Sequence, residues 1–441
     1  MLVKEFLFRA KGRFIQKRAL DFFADLTRRD QWSRDQLDEF NWQRRQALVR
    51  HCAANVAFYQ NQFKEAGFEP GDLKSRDDWK KLPLLTKDDV RAHQDDLISR
   101  THKDVRLPSS TTGGSTGEPL KVFSDPDVPV SAISWRMLQW WGVGPWDNAG
   151  YAYRAIPRGK RKRRIDIALW PTRRVYLSAI EMDEPKTREF VEKLRRIRAR
   201  YLVGYVGALE GISDYLSKTG ITIPSLEAVW STAAPMPESL RAKMRSTFRC
   251  PIYSQYGSCE FYFLAAECER QNGLHVSSDI RHIDILPDNP TDPGSVGEII
   301  ATDLTNYAFP LLRYRHGDRS RVLAGPCSCG RPYPRIDYVL GRVSDRIVLQ
   351  DGTKLPGEFW TTIFDDYPDV IKAFQVHQQA DYSILIRYER TSPTVASPID
   401  AVRAAIDSAT RGRAELRFAE EPVRADDNGK LRFVVSDVKA D

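Results

Sequence analysis

From Thr111 onward, short apolar runs alternate with amphipathic stretches, and this alternation restricts the possible folds more than any other feature of the chain. Tyr201 to Val206 precedes the helical spacing of Gly211 to Lys218, and Ala228 to Ser231 precedes Pro237 to Phe248. A short apolar run suits a strand covered by its neighbours, and a following stretch with a 3.6-residue period suits the covering helix. Repetition of the pair predicts an α/β sheet protein.

The flanks read differently. Residues 1 to about 105 carry Trp32, Leu37, Phe40, Trp42, Leu48 and Val49 at helix-like spacings, and predict a helical lead-in. After Val343 the composition changes. Strand-like Arg346 to Leu349 and a turn at Asp351 and Gly352 precede strand candidates at Phe374 to Val376, Tyr382 to Tyr388 and Arg432 to Val435, with a helix at Pro398 to Thr410. The expectation is a large domain over 1–343 followed by a small α+β domain over 344–441. With 441 residues, 41% of them hydrophobic, the chain has the material for large cores, which excludes a disordered or fibrous class.

Charge narrows the partners only coarsely. A net +8, from 67 basic and 59 acidic residues spread along the chain, favours nucleotides, CoA, phosphorylated glycans or membrane headgroups. No nucleic-acid-binding motif accompanies it. The densest cationic run, Arg158 to Arg164, reads most simply as a solvated loop, with CoA phosphates, a phosphorylated acceptor or nucleic acid as the chemical alternatives. Cations interrupt every apolar run of Met1 to Leu20, so this basic amphipathic helix is neither a signal peptide nor a membrane span. Its expected role is packing on the domain surface, with peripheral membrane attachment as the alternative. Six cysteines form no dense framework, which points to a reducing, cytoplasmic setting.

The first chemical signal is the run Ser109 to Pro119, with Thr112, Gly113, Gly114, Ser115, Thr116 and Gly117 at its centre, flanked by extended Val105 to Pro108 and Leu120 to Phe123. Glycines allow close backbone approach to an anion, and amides and hydroxyls can then wrap phosphate oxygens. No Gly-Lys-Ser/Thr follows, so it is not a Walker loop.

This string resembles the phosphate loop of the adenylate-forming superfamily, and four further segments match that family in order. They are Tyr256-Gly257-Ser258-Cys259-Glu260, Tyr314-Arg315-His316-Gly317-Asp318, Gly341-Arg342-Val343-Ser344-Asp345 and Asn428-Gly429-Lys430-Leu431-Arg432. Within the superfamily the string Thr112 to Pro119, the Gly-Lys-Leu-Arg-Phe-Val-Val-Ser ending and Cys-Ser-Cys-Gly-Arg before the hinge resemble the phenylacetate-CoA ligase and CapK branch. The resemblance implies a large multi-sheet adenylation domain, a small mobile C-terminal domain, and ATP-dependent activation of a carboxylic acid through an acyl-adenylate. The acyl group would pass to CoA or to an amine or sugar acceptor.

It also implies roles. Lys430 would bridge the carboxylate and the α-phosphate, and Glu260 would hold Mg²⁺, a hard cation suited to carboxylate and phosphate oxygens. Tyr256 would stack on adenine, Asp318 would accept from the ribose hydroxyls, Arg342 would contact ribose or phosphate at the hinge, and Ala233-Ala234-Pro235 would line the adenine. Gly257 and Ser258 complete the Tyr256 motif. Gly113, Glu118, Cys259 and Ser344 depart from the commoner family residues, and Ser344 bears on the thioester half-reaction.

Cys268, His275, Cys327 and Cys329 offer three thiolates and an imidazole, a donor set for a closed, structural Zn²⁺. The aromatic group Trp135, Trp140, Trp141, Trp146, Tyr151 and Tyr153 reads mostly as core, with part of an acyl pocket among it. A reading of a different class is a nucleotide-binding regulator or assembly factor without turnover. A lysine placed for the α-phosphate favours the enzyme, since binding alone does not require it.

Overall fold

The computed structural model describes residues 2–111, 120–153, 156–179, 181–233, 236, 238–287, 291, 292, 294–339, 347–355, 359, 360, 363, 364, 366, 367, 370–390, 392, 394, 396–423 and 434–438. The lead-in is helical as expected: α1 (Leu2–Ile15), α2 (Lys17–Arg29), α3 (Arg34–Asn55), α4 (Ala57–Glu65) and α5 (Lys87–Ala92). The single basic helix expected over the first twenty residues is two helices, broken at Gln16. α3 starts at a capping box in which Ser33 and Gln36 satisfy each other's backbone amides, and it buries Leu37, Leu48, Val49 and Cys52 along one stripe.

A short antiparallel pair, β1 (Ser109–Thr111) and β2 (Lys121–Phe123), flanks the glycine-rich string. The expected extension over Val105 to Pro108 is not a strand. The alternating part then runs α6 (Val130–Trp140), β3 (Ala149–Tyr153), α7 (Gly159–Leu169), β4 (Arg174–Ser178), α8 (Glu184–Ile197), β5 (Tyr201–Tyr205), α9 (Val206–Thr219), β6 (Ala228–Thr232), α10 (Glu238–Phe248) and β7 (Ile252–Tyr256). The cationic run read as a loop is therefore the start of helix α7. Its exposed cations are accommodated because Ile165 and Leu169 turn towards the sheet.

Strands β3 to β7 pair in parallel in the spatial order β4-β3-β5-β6-β7, with buried centres such as Leu202, Val203, Val229 and Trp230. Burial on both faces is the reason these strands are apolar throughout. Trp135, Trp140, Trp141 and Trp146 are buried in this core, as packing predicts.

The sheet continues antiparallel through β8 (Ala265–Ala266) and β9 (Leu274–Val276). A separate three-stranded meander follows, of β10 (Arg281–Pro287), β11 (Gly297–Asp303) and β12 (Tyr314–Ser320), before β13 (Val322–Leu323) and β14 (Arg335–Ile336) complete the nine-stranded sheet. The last part holds a two-stranded pair, β15 (Ile347–Val348) with β16 (Lys354–Leu355), and a four-stranded sheet. That sheet is β17 (Ile371–Gln378), β18 (Ile384–Arg390), β19 (Leu416–Glu420) and β20 (Val434–Ser436), with α11 (Ile399–Thr410). Its core, including Trp360, Phe364, Phe374, Ile386 and Ile406, draws every buried member from residues 347 to 434.

Candidate active site

The parallel strands deliver the site at their carboxyl ends. Ser231 pairs with Ser254, so the ends carrying Ala233 and Tyr256 lie side by side, and Thr232 Oγ1 donates to Gln255 Oε1 at 2.8 Å to tie them. Ala233 takes a left-handed φ of 75°. After Tyr256 the chain turns so tightly that a Cβ on Gly257 would stand 1.8 Å from the Tyr262 carbonyl oxygen, which only glycine permits. Ser258 is half-buried in this turn, Cys259 exposed and Glu260 buried.

The second wall comes from β12, whose even-numbered residues share a face because side chains alternate along a strand. Tyr314, His316 and Asp318 therefore point together, and Arg315 turns to the other face to meet Glu298 at 2.6 Å. The Tyr256 hydroxyl donates to Asp318 Oδ2 at 3.0 Å, and His316 Nδ1 lies 2.9 Å from the same hydroxyl and 2.8 Å from Asp318 Oδ2. The Tyr256 and His316 rings meet edge to face, 5.6 Å apart. His316 Nε2 is buried without a hydrogen-bond partner among the described residues.

Glu260 Oε1 accepts from the Tyr314 hydroxyl at 3.0 Å. Burial would raise its pKa, but the charges of His316 and Lys87 outweigh that and hold the carboxyl below its usual range. An ionised, buried carboxylate with its second oxygen left over from the Tyr314 bond offers one hard ligand of the kind Mg²⁺ takes, the rest being phosphate oxygens and water. Lys87 arrives from far along the chain: Leu85 bridges Tyr314 in parallel, and its N–H and C=O bond Arg313 and Arg315 at 3.1 Å and 2.8 Å.

The expected residues Tyr256, Gly257, Ser258, Glu260 and Asp318 are thus gathered in one place, with Ala233 at the neighbouring strand end. Thr112, Gly113, Gly114, Ser115, Thr116, Gly117, Ala234, Pro235, Arg342 and Lys430 lie outside the described residues, as do Glu118 and Ser344. The expectations gave His316, Tyr314 and Lys87 no role of their own, although His316 and Tyr314 lie within the matched segment Tyr314 to Asp318.

A second cluster lies where β9 meets the β13–β14 turn. Ligand atoms of Cys268, His275, Cys327 and Cys329 all lie within 4.8 Å of one another, with Cys268 Sγ 3.8 Å from Cys327 Sγ and Cys329 Sγ 3.4 Å from His275 Nε2. A tetrahedron of zinc–sulfur bonds of about 2.3 Å has edges of about 3.8 Å, so these spacings suit a shared ion and exclude a Cys268–Cys327 disulfide. His275 is fully buried, and its Nδ1 lies 3.3 Å from the Tyr333 carbonyl, which orients Nε2 towards the thiols.

A cavity of about 450 Å³ separates α7 from the sheet face, lined by Tyr151, Tyr176, Ile165 and Leu169, with Arg161 and Arg174 among them. The Arg174 guanidinium lies 5.2 Å from the Tyr151 ring centre, and its Nε is buried without a partner among the described residues. Tyr153, the next residue on that strand face, meets Tyr205 at 5.2 Å, so a row of aromatic rings runs from the strand ends to the cavity.

Solved structures share this architecture. The 2-hydroxyisobutyryl-CoA ligase in complex with 2-HIB-AMP and CoA, in its thioesterification state, superposes with a TM-score of 0.65 at 18% identity, covering 93% of this chain and 92% of that one. Its open conformation gives 0.61 at 16% identity over 93% and 94%. The fold is that of the adenylate-forming ligases. Among curated proteins, a relative named phenylacetate-coenzyme A ligase from Thermus thermophilus is 24% identical over 356 residues, 78% of each chain. The ligase of that name from Escherichia coli is 26% identical over 341 residues, covering 74% of this chain and 75% of its own. Protein CapK of Staphylococcus aureus is 24% identical over 319 residues, 70% of this chain and 68% of its own. These are the proteins that the sequence motifs resemble. No family model matches the chain.

Proposed function

We propose that this chain is an ATP-dependent carboxylic-acid-activating enzyme that forms an acyl-adenylate and passes the acyl group to CoA or to an amine or sugar acceptor. The carrying observation is the meeting of Tyr256, at the carboxyl end of a parallel strand, with His316 and Asp318 of the antiparallel meander, and Glu260 within reach of the His316 charge, in an adenylate-forming ligase fold. The curated ligases support the same class.

In this reading a carboxylate oxygen attacks the α-phosphorus of ATP and the bond to pyrophosphate breaks. Attack of a thiol or amine on the acyl carbon then expels AMP. Two anions must approach, so cations and donors have to surround the triphosphate. Lys430, the glycine-rich string over 112–117 and Arg342 are assigned that task from their motifs, with Ala233, Ala234 and Pro235 against the adenine. Tyr256 packs on the base and Asp318 accepts from the ribose hydroxyls. Glu260 would hold Mg²⁺, which would supply neutralisation of the phosphate charge. The cavity beneath α7 supports an acid with an apolar or aromatic body. The residues from 347 onward, with their own core, are read as the small domain that closes over the site, hinged near Ser344.

Cys268, His275, Cys327 and Cys329 are read as a structural Zn²⁺ site, since four protein ligands leave no position for substrate. The cysteines, present as thiols, suit the reducing setting of a cytoplasmic enzyme. Carboxylate-dependent ATP–pyrophosphate exchange, surveyed over aryl, fatty, hydroxy and amino acids, tests the proposal. Exchange with one class of acid is expected, and its absence across the survey in protein that still binds ATP would overturn the enzyme reading.

A further inference from the structure

Among the described residues ten large apolar side chains are strongly exposed, and six of them, Val3, Phe6, Phe14, Ile15, Ile167 and Trp170, belong to α1 and the end of α7. Random scatter of surface apolar groups needs no explanation, but their concentration on two touching helices does. The helices touch through Lys11, whose ammonium donates to the carbonyls of Ile167 and Trp170 and lies 5.8 Å from the Trp170 ring.

α1 is apolar on two sides. Phe8 and Gly12 face inward, and Phe8 packs edge to face on Trp135 and Trp146 at 5.4 Å and 6.2 Å. Val3, Phe6, Ala10 and Phe14 recur at intervals of three and four on the outer side, and Phe14 is 90% exposed. On α7, Lys160, Arg163 and Arg164 are exposed and spaced so that they share a stripe with Ile167, whose carbonyl Lys11 of α1 reaches. These three cations and Arg13 are exposed and form no ion pair among the described residues, whereas Arg9, Lys17 and Lys162 are paired with Glu5, Asp21 and Asp166.

We infer that this face docks on an anionic lipid surface. Charge complementarity selects the occupant: unpaired cations around an apolar stripe match phosphate headgroups above acyl chains. A nucleic acid would use the cations and leave Phe6 and Phe14 in water. A second copy of the chain would set the same cations against each other. No helix among the described residues is long and apolar enough to cross a membrane, so the contact is interfacial.

Co-sedimentation of the full chain with phosphatidylcholine vesicles, with and without about 30% phosphatidylserine, tests this. Binding to the anionic vesicles is expected, weakened at least tenfold by raising salt from about 50 to 500 mM. The exposed double variant Phe6→Glu/Phe14→Glu should lose it with an unchanged circular dichroism spectrum and unchanged ATP–pyrophosphate exchange. Equal binding of wild type and variant would overturn the inference, as would no binding to anionic vesicles. A dimer in sedimentation velocity that the double variant dissolves would assign the face to a second copy, and retention by RNA without vesicle binding would assign it to nucleic acid.

Discussion

The Tyr256 hydroxyl donates a 3.0 Å hydrogen bond to Asp318 Oδ2, joining the end of a buried parallel strand to a separate antiparallel sheet. The residue assigned to the base thus holds the residue assigned to the ribose. Removing charge from the acceptor should cost more than removing the tyrosine donor, because hydrogen bonds to ionised groups are worth about 1.5–3 kcal/mol against about 1 for neutral ones. Asp318→Asn is expected to raise KM for ATP about ten- to a hundredfold, and Tyr256→Phe by less than about tenfold. Exchange kinetics at saturating acid measure both.

Glu260 is the buried carboxylate of the site, and Tyr314 holds one of its oxygens. Glu260→Gln keeps the shape and removes the charge. The Mg²⁺ concentration for half-maximal exchange should rise at least about tenfold, with kcat lowered even at saturating metal. A Mg²⁺ titration identical to wild type would remove Glu260 from the metal assignment.

The four-ligand cluster makes a prediction with a stoichiometric readout. Protein purified without chelator should carry one zinc per chain by elemental analysis, and Cys268→Ser should carry none. Because the ligands join β9 to the β13–β14 turn, zinc loss should lower the thermal midpoint by several degrees, on the order of 2 kcal/mol for a chain of this size. Full-length protein that binds no zinc yet melts normally would leave the cluster as buried thiols.

Most of the fold was legible because it rests on periodicity. β5, β6 and α9 lie where the apolar runs and the helical spacing place them, and α11 begins within one residue of its expected start. α7 was missed because its first turns are nearly all cationic, and its sheet-facing Ile165 and Leu169 come only at the end. Lys87 was missed for a different reason. Its place beside Glu260 depends on a backbone bridge between Leu85 and Tyr314, more than two hundred residues apart, which no local pattern records. The motif residues Glu260 and Asp318 were legible singly, but the His316 that links Tyr256 to Asp318 is visible only in three dimensions.

Acid should reveal how the lead-in is fastened. Asp284 on β10 accepts from the Trp79 indole at 2.9 Å and lies 3.1 Å from His282 Nε2. Burial would raise its pKa, but the His282 charge and the two hydrogen bonds hold it well below the usual carboxylate range. A depressed folded-state value stabilises the protein above the ordinary carboxylate pKa and loses that contribution as pH falls towards the folded value. Asp284→Asn should therefore destabilise by about 2 kcal/mol at pH 7. The gap between variant and wild type should narrow progressively below pH 4, as followed by urea unfolding across pH.

The cavity beneath α7 separates the acid from the nucleotide in kinetic terms. Ile165 lines it from the helix, away from Tyr256, Glu260 and Asp318. Ile165→Trp would project a bulkier indole into the 450 Å³ space without altering the nucleotide-binding residues. If the acyl group occupies this space, the KM for the preferred acid should rise at least about tenfold while KM for ATP changes less than about twofold, since only the contact with the acid is lost. Smaller acids should be less affected than larger ones. An unchanged KM for every acid would place the acyl group elsewhere and leave the cavity without a part in activation.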